Sequence, residues 1–122
     1  MIGLIDKKIV SLETFTHENF FESAEKIADF IKNNGLTQEN AAIRLGMAQS
    51  TIANKLRLLR MSDIERREIT DNKLTERHAR ALLRISSSDE RLRLIDYIIH
   101  NHMNVECSER MIDDYINTKI MA

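Results

Sequence analysis

The sequence of 122 residues contains no proline or tryptophan, three glycines and a single cysteine. With so few chain-breaking residues and almost no alternating apolar runs, this composition favours helices over strands. The lone Cys107 excludes an intramolecular disulfide and fits a reducing compartment. No apolar run approaches the roughly 18 residues of a membrane span, and the first residues lack the basic-then-apolar order of a signal peptide. These absences predict an all-α, cytoplasmic protein.

Charge is distributed unevenly along the chain. The net charge is only −1, but residues 44–93 carry 12 Lys and Arg against seven Asp and Glu, a net charge of +5, and ten of those cations are Arg. The segments on either side each have a net charge of −3. Because the planar guanidinium suits phosphates and guanine edges, this pattern indicates nucleic-acid binding. An ordinary solvated helical surface is the alternative interpretation.

Apolar spacing and capping residues predict a bundle of about seven short helices. In the first, Phe20, Ala24, Ile27 and Ile31 form the apolar stripe. The predicted helices cover 19–33, 38–45, 49–60, 62–69, 75–85, 86–102 and 109–120, with caps at Thr37, Ser62, Thr75 and Ser108 and a left-handed end at Gly35. We expect one helical domain over 19–122, with supporting helices over 62–120 and residues 1–18 as a tail or the remnant of a domain junction.

Residues 37–60 have the pattern of a helix-turn-helix, in which two short helices are joined through Gly46. Ala42, four residues before this glycine, is small enough for the second helix to cross at close range. On the second helix, Ile52, Leu56 and Leu59 form an apolar stripe at i, i+4 and i+7. Its first turns are therefore free to present polar side chains.

The polar side chains of this second helix suit base recognition. Gln49 and Asn54 can bond adenine bidentately, Lys55 can bond guanine acceptors, and Ser50 or Thr51 can bond a phosphate or touch a thymine methyl. The open amides at the helix N-terminus add affinity for anions. The alternative is that polar residues simply begin helices, and that the motif belongs to a purely structural bundle.

The stretch "GLTQENAAIRLGMAQSTIANKLRLL", followed by "LTERHARALL", resembles the DNA-binding domain of the ParB/Noc family of chromosome-partitioning and nucleoid-occlusion proteins. The resemblance extends from about Phe20 to Ile116. It implies an all-helical, nucleoid-associated domain that docks on half of a palindromic site in double-stranded DNA. The helix over 49–60 would enter the major groove, and the helix with "HARA" would support it.

Four positions of this resemblance lean to the nucleoid-occlusion branch: Gln49, Lys55, Arg60 and Arg77. In the family these positions separate the two DNA sites. The resemblance implies that Gln49, Lys55 and Arg77 discriminate bases, with Ser50, Thr51 and Asn54 as further base-contacting residues. The candidates for contacts with the DNA backbone are Arg44, Arg57, Arg60, Arg80 and Arg84.

The chain also departs from the family pattern. Ala48 stands where the family often has a capping Ser, which weakens the start of the helix by roughly 1 kcal/mol. The arginine motifs that grip CTP in the family are absent from this sequence, so we expect neither catalysis nor a cofactor. The dimerisation segment and the amphipathic membrane-binding helix of full-length members are absent as well. A homodimer is therefore expected mainly through regions missing from this chain.

Other candidate sites are weaker. His100, His102 and Cys107 lack a fourth metal ligand, and two histidines two residues apart near a helix end face different directions. His78 is interpreted as a hydrogen-bonded structural residue, and Asp113 with Asp114 as a solvated face. No catalytic motif is present. The competing function is a helical protein-interaction module without specific DNA binding.

Overall fold

The computed structural model describes residues 19–121, and the tail predicted over 1–18 lies outside this range. The described residues form seven α-helices and no strand, which confirms the all-α prediction. The helices are α1 (Phe20–Asn33), α2 (Gln38–Leu45), α3 (Gln49–Arg57), α4 (Asp63–Asp71), α5 (Glu76–Leu82), α6 (Ser88–His100) and α7 (Val105–Met121), with a 3₁₀ turn at Leu58–Arg60 after α3. Within these residues, none of the helices has the length and apolarity of a membrane span. The chain divides into two compact units between Arg60 and Met61.

Most of the predicted helix ends are confirmed by side-chain caps. The hydroxyl of Thr37 accepts from the amide of Asn40 at 3.0 Å, and that of Thr75 accepts from the amide of His78 at 3.3 Å. Ser62 and Glu65 form a complete capping box. These contacts span only three residues, so the local sequence is sufficient to predict them.

The first unit packs α1 and α2 against α3. Ile27 and Phe30 of α1 form a buried cluster with Ala42, Leu45 and Ile52 of the other two helices. The predicted stripe on α1 is confirmed for Ile27, which is fully buried, and for Ile31, which is half-buried and packs against this cluster. Phe20 is half-buried, whereas Phe21 and Phe30, outside the predicted stripe, are buried. The apolar face is wider than one stripe because α1 contacts α2, α3 and the 3₁₀ turn.

The buried stripe of α3 also differs from its prediction. Ile52 is fully buried, but the next fully buried residue is Leu58, whereas Leu56 and Leu59 are half-buried. The α-helix ends at Arg57 and tightens into the 3₁₀ turn, where three residues complete a turn instead of 3.6. This tightening changes which leucine faces the core.

The second unit contains α4 to α7, and α5 packs on both α6 and α7. Its fully buried side chains include Ile69, Leu82, Ile98 and Ile112. The cap predicted at Ser108 is wrong: α7 begins at Val105, and the side chain of Asn104 accepts from the amide of Cys107 at 2.8 Å. Ser108 instead lies one turn before Ile112 on the buried face of α7. Asn caps a helix as well as Ser does, and the earlier residue does so here.

A buried ion pair joins α4 to α6. Glu65 is completely buried. Its carboxylate accepts hydrogen bonds from Arg91, from Nε to Oε1 at 2.5 Å and from Nη2 to Oε2 at 3.2 Å. Its carboxylate also accepts from the amide of Ser62 at 3.0 Å and the hydroxyl of Ser88 at 2.9 Å. Burial alone would raise the pKa of Glu65, but the hydrogen bonds from Arg91, Ser62 and Ser88 outweigh it and hold the pKa below its ordinary value of 4.5. The same carboxylate therefore caps one helix and anchors another.

Candidate nucleic-acid interface

The turn between α2 and α3 depends on the left-handed backbone of Gly46. Its φ of 66° lies in a region that side-chain-bearing residues rarely adopt. The amide of the next residue, Met47, donates to the carbonyl of Ala42 at 2.9 Å and closes the end of α2. Ala41 and Ala42 are buried where α2 packs on α3. The helix-turn-helix predicted over 37–60 is therefore present.

The start of α3 presents polar side chains to solvent. Gln49, Ser50 and Thr51 are exposed, and Asn54 is half-buried. Within the part of the chain that the structure describes, none of these four side chains makes a hydrogen bond, so their donors and acceptors are available to a ligand. Lys55 is half-buried and has a partner within the protein.

The electrostatics of α3 differ from those of its neighbours. Of the seven helices described, it is the one with no acidic residue in its first turn. The residue at its N-cap position, Ala48, makes no side-chain hydrogen bond to the helix. The amides of the first turn therefore retain their attraction for an anion such as a phosphate. Three exposed arginines accompany α3 in the first unit: Arg44, Arg57 and Arg60.

The remaining arginines that the sequence indicates lie in the second unit, on and just after α5. Arg77, in the first turn, donates from Nη2 to Oε1 of Glu109 at 2.8 Å. Arg84, beyond the end of α5, forms an ion pair with Asp113. Arg80 lies between them, is exposed, and forms no ion pair within residues 19–121.

The carboxylates of Glu109 and Asp113 are partners that sequence reasoning missed. Asp113 is exposed, as predicted, but it is paired and not merely solvated. Glu109 and Asp113 are four residues apart and so share a face of α7, a spacing that is visible in the sequence. The identity of their partners is not, since the pairs span 32 and 29 residues.

The structure confirms the interpretation of His78 as a structural residue. Its ring is buried, and Nδ1 accepts from the amide of Thr75 at 3.1 Å. Because an amide can only donate, Nδ1 carries no proton, and the Nε2 proton faces the carbonyl of Met103 at 3.4 Å. His78 thus completes the cap of α5. In the described residues no cluster of His, Cys, Asp and Glu side chains is arranged to hold a metal ion, and this includes His100, His102 and Cys107.

Comparison with known proteins supplies the context for this arrangement. The family model of the ParB HTH domain matches residues 17–117. Similar curated proteins include the nucleoid occlusion proteins of Halalkalibacterium halodurans, 38% identical over 110 residues, and Geobacillus thermodenitrificans, 43% identical over 112 residues. Each alignment covers 88% of this chain but only 39% and 40% of the relative, so the chain spans about two fifths of their length.

Solved structures of ParB proteins are also similar to this chain. The DNA-binding domain of the chromosome-partitioning protein ParB, complexed to the centromeric parS site, superposes with a TM-score of 0.75 at 26% identity, covering 93% of this chain and 91% of that one. A C-terminally truncated ParB from Caulobacter crescentus, also complexed to parS, superposes with a TM-score of 0.70 at 26% identity. That alignment covers 90% of this chain and 55% of the other.

Proposed function

Because this chain belongs to the ParB HTH domain family, we propose that it binds double-stranded DNA site-specifically, at half of a palindromic site, in nucleoid occlusion or chromosome partitioning. The relatives carry these roles in their names, and two partitioning relatives are complexed to parS DNA. In this proposal α3 enters the major groove and α5 supports it.

The observation that carries the proposal is the contrast between the buried side of α3 and its exposed, polar first turn. Ile52 is fully buried in a core cluster shared with α1 and α2, which holds the helix firmly. The first turn exposes Gln49, Ser50 and Thr51, whose side chains make no hydrogen bond within the described residues. A surface that is rigid on one side and rich in unused donors and acceptors on the other fits direct readout of base edges.

The proposed roles follow from side-chain chemistry. Gln49, Lys55 and Arg77 discriminate bases, and each well-formed bidentate contact is worth about 1–3 kcal/mol of discrimination. Ser50, Thr51 and Asn54 contribute further contacts in the groove. The five remaining arginines neutralise phosphates: Arg44, Arg57, Arg60, Arg80 and Arg84.

The occlusion branch is the proposed assignment. Gln49, Lys55, Arg60 and Arg77 match the residues that the occlusion branch uses at these positions. The curated relatives named nucleoid occlusion proteins reach 43% identity, whereas the two partitioning structures stand at 26%. The proposed role is binding to nucleoid DNA, and it assigns no catalytic step to this chain.

A binding titration tests the proposal. Fluorescence anisotropy would follow the chain on occlusion-type, partition-type and scrambled duplexes at about 50 and 200 mM salt. If all five backbone arginines contact phosphates, the slope of log K against log salt is about −4.5, so this fourfold rise in salt weakens binding about 500-fold. We expect the occlusion-type duplex to bind most tightly. Equal binding of all three duplexes without salt dependence would contradict the proposal.

The competing function, a protein-interaction module, is separated by one variant. Lys55→Ala with Arg77→Ala removes two proposed base contacts, so DNA affinity and site preference fall if the chain binds DNA. For a protein-interaction module, binding to the protein partner survives both substitutions. The matched control is Lys32→Ala with Arg110→Ala, which removes the same charge from exposed positions outside the proposed interface. DNA binding that falls equally in both variants would indicate a general charge effect and would contradict the assigned roles.

A further inference from the structure

Three arginines of the second unit lie on α5 or just after its end, and two of them are held in ion pairs. Arg77 and Arg84 are held by Glu109 and Asp113, while Arg80 forms no ion pair within residues 19–121. The two carboxylates therefore reduce the charge of these three arginines from +3 to +1. Because a phosphate backbone is attracted by local positive charge, the pairs diminish the affinity that this surface can contribute.

The pairs are weak enough to be exchanged. Arg77 and Glu109 are 53% and 37% exposed, and Arg84 and Asp113 are 49% and 52% exposed. Ion pairs at such exposed positions are screened by water and contribute little to stability. Neither arginine is held in the core, so each guanidinium is able to leave its carboxylate for a phosphate or a base.

Exchange has a cost that a free arginine would not have. When Arg77 or Arg84 turns to DNA, the abandoned carboxylate stays nearby on α7, which packs directly against α5. That carboxylate then repels the phosphates and gathers a cation from solution, and this uptake cancels part of the counterion release that drives binding.

We propose that Glu109 and Asp113 act through Arg77 and Arg84 as internal competitors of DNA, each limiting the affinity that its arginine contributes. The inference rests on the DNA-binding function proposed above and deepens it. Arg84 is a proposed phosphate contact, so the competition from Asp113 weakens binding to every duplex by a similar factor. Arg77 is a proposed base contact, so the competition from Glu109 weakens binding to the preferred duplex most.

The test uses Glu109→Gln and Asp113→Asn, which remove the charge but keep a hydrogen-bond acceptor. Each variant should bind the scrambled duplex about 1.4- to 5-fold more tightly, the factor that corresponds to one exposed ion pair. The salt slope should steepen by up to about 0.9 for each arginine released. The preference for the occlusion-type duplex over the scrambled one should stay unchanged in Asp113→Asn, which releases a proposed phosphate contact. It should rise in Glu109→Gln, which releases a proposed base contact.

Asp114→Asn is the matched control, because Asp114 is exposed on the same helix and makes no ion pair within the described residues. A gain in this control as large as in Glu109→Gln would overturn the proposal, since a general charge effect would explain both. In an Arg77→Ala background the gain from Glu109→Gln should vanish. A gain that persists there would also overturn it. Thermal unfolding confirms that each variant is folded.

The outcomes separate this inference from the proposed function. If the wild-type chain binds its site selectively and the variants bind no more tightly, only the competition is overturned. If neither the wild type nor the Glu109→Gln, Asp113→Asn double variant binds any duplex, both proposals are overturned. If the double variant binds the duplexes and the wild type does not, the competition is supported.

Discussion

Replacing Glu65 by Gln tests the buried ion pair that holds the second unit together. Three of the four hydrogen bonds to this carboxylate reach Oε2, from Ser62, Ser88 and Nη2 of Arg91, and the fourth joins Oε1 to Nε of Arg91. A Gln oxygen at the Oε2 position keeps the first three. Its amide nitrogen then faces the Nε proton of Arg91, so that two donors oppose each other, and the buried guanidinium loses its counter-charge.

The expected loss in the free energy of unfolding is about 3–5 kcal/mol, the range found when one partner of a buried pair is removed. Urea unfolding followed by far-ultraviolet circular dichroism measures it. Glu68→Gln on the same helix is the control, since Glu68 is exposed and should cost less than about 0.5 kcal/mol. Adding Arg91→Met to Glu65→Gln removes the unpaired charge and should recover part of the loss. A loss below about 1 kcal/mol for Glu65→Gln would refute the reasoning.

The same pair gives a signed dependence on pH. The pKa of Glu65 is lower in the folded chain than its ordinary value of 4.5, so the folded state favours the charged carboxylate. Its contribution to stability is complete above this ordinary value and is lost as the pH falls through the folded pKa. Because Gln does not titrate, the stability gap between the wild type and Glu65→Gln should narrow in acid. A gap that stays constant below pH 4.5 would contradict the assigned role.

Two further predictions concern α3. Gln49→Arg should weaken binding to the occlusion-type duplex and favour the partition-type one by about 1–3 kcal/mol, because a guanidinium pairs with guanine where an amide pairs with adenine. An unchanged preference in the anisotropy titration would contradict the branch assignment. Ala48→Ser should raise the free energy of unfolding by about 1 kcal/mol, because Ala48 already has the extended backbone of a cap and lacks only the side-chain oxygen. Urea unfolding measures this gain, and a neutral or destabilising result would show that the serine does not reach the amide of Thr51.

Local sequence was sufficient for most of the helices and for the helix-turn-helix. The caps at Thr37, Ser62 and Thr75 and the turn at Gly46 depend on atoms within five residues, so the local residue types predict them. The turn at Gly46 and the polar start of α3 followed from the same short stretch. The resemblance of that stretch to the ParB/Noc family then indicated what the polar side chains bind.

Tertiary packing decided which side chains are buried and which charged residues form pairs, and the spacing of residues along the sequence does not specify either. Leu58 is buried in place of Leu59 because the helix tightens into a 3₁₀ turn against α1. Ser108, predicted as a cap, lies on the buried face of α7. The ion pairs depend on which helices meet, since they join residues 26 to 32 positions apart. An arginine and a carboxylate can be counted in a sequence, but whether an arginine is occupied by a carboxylate is determined by the packing that brings their helices together.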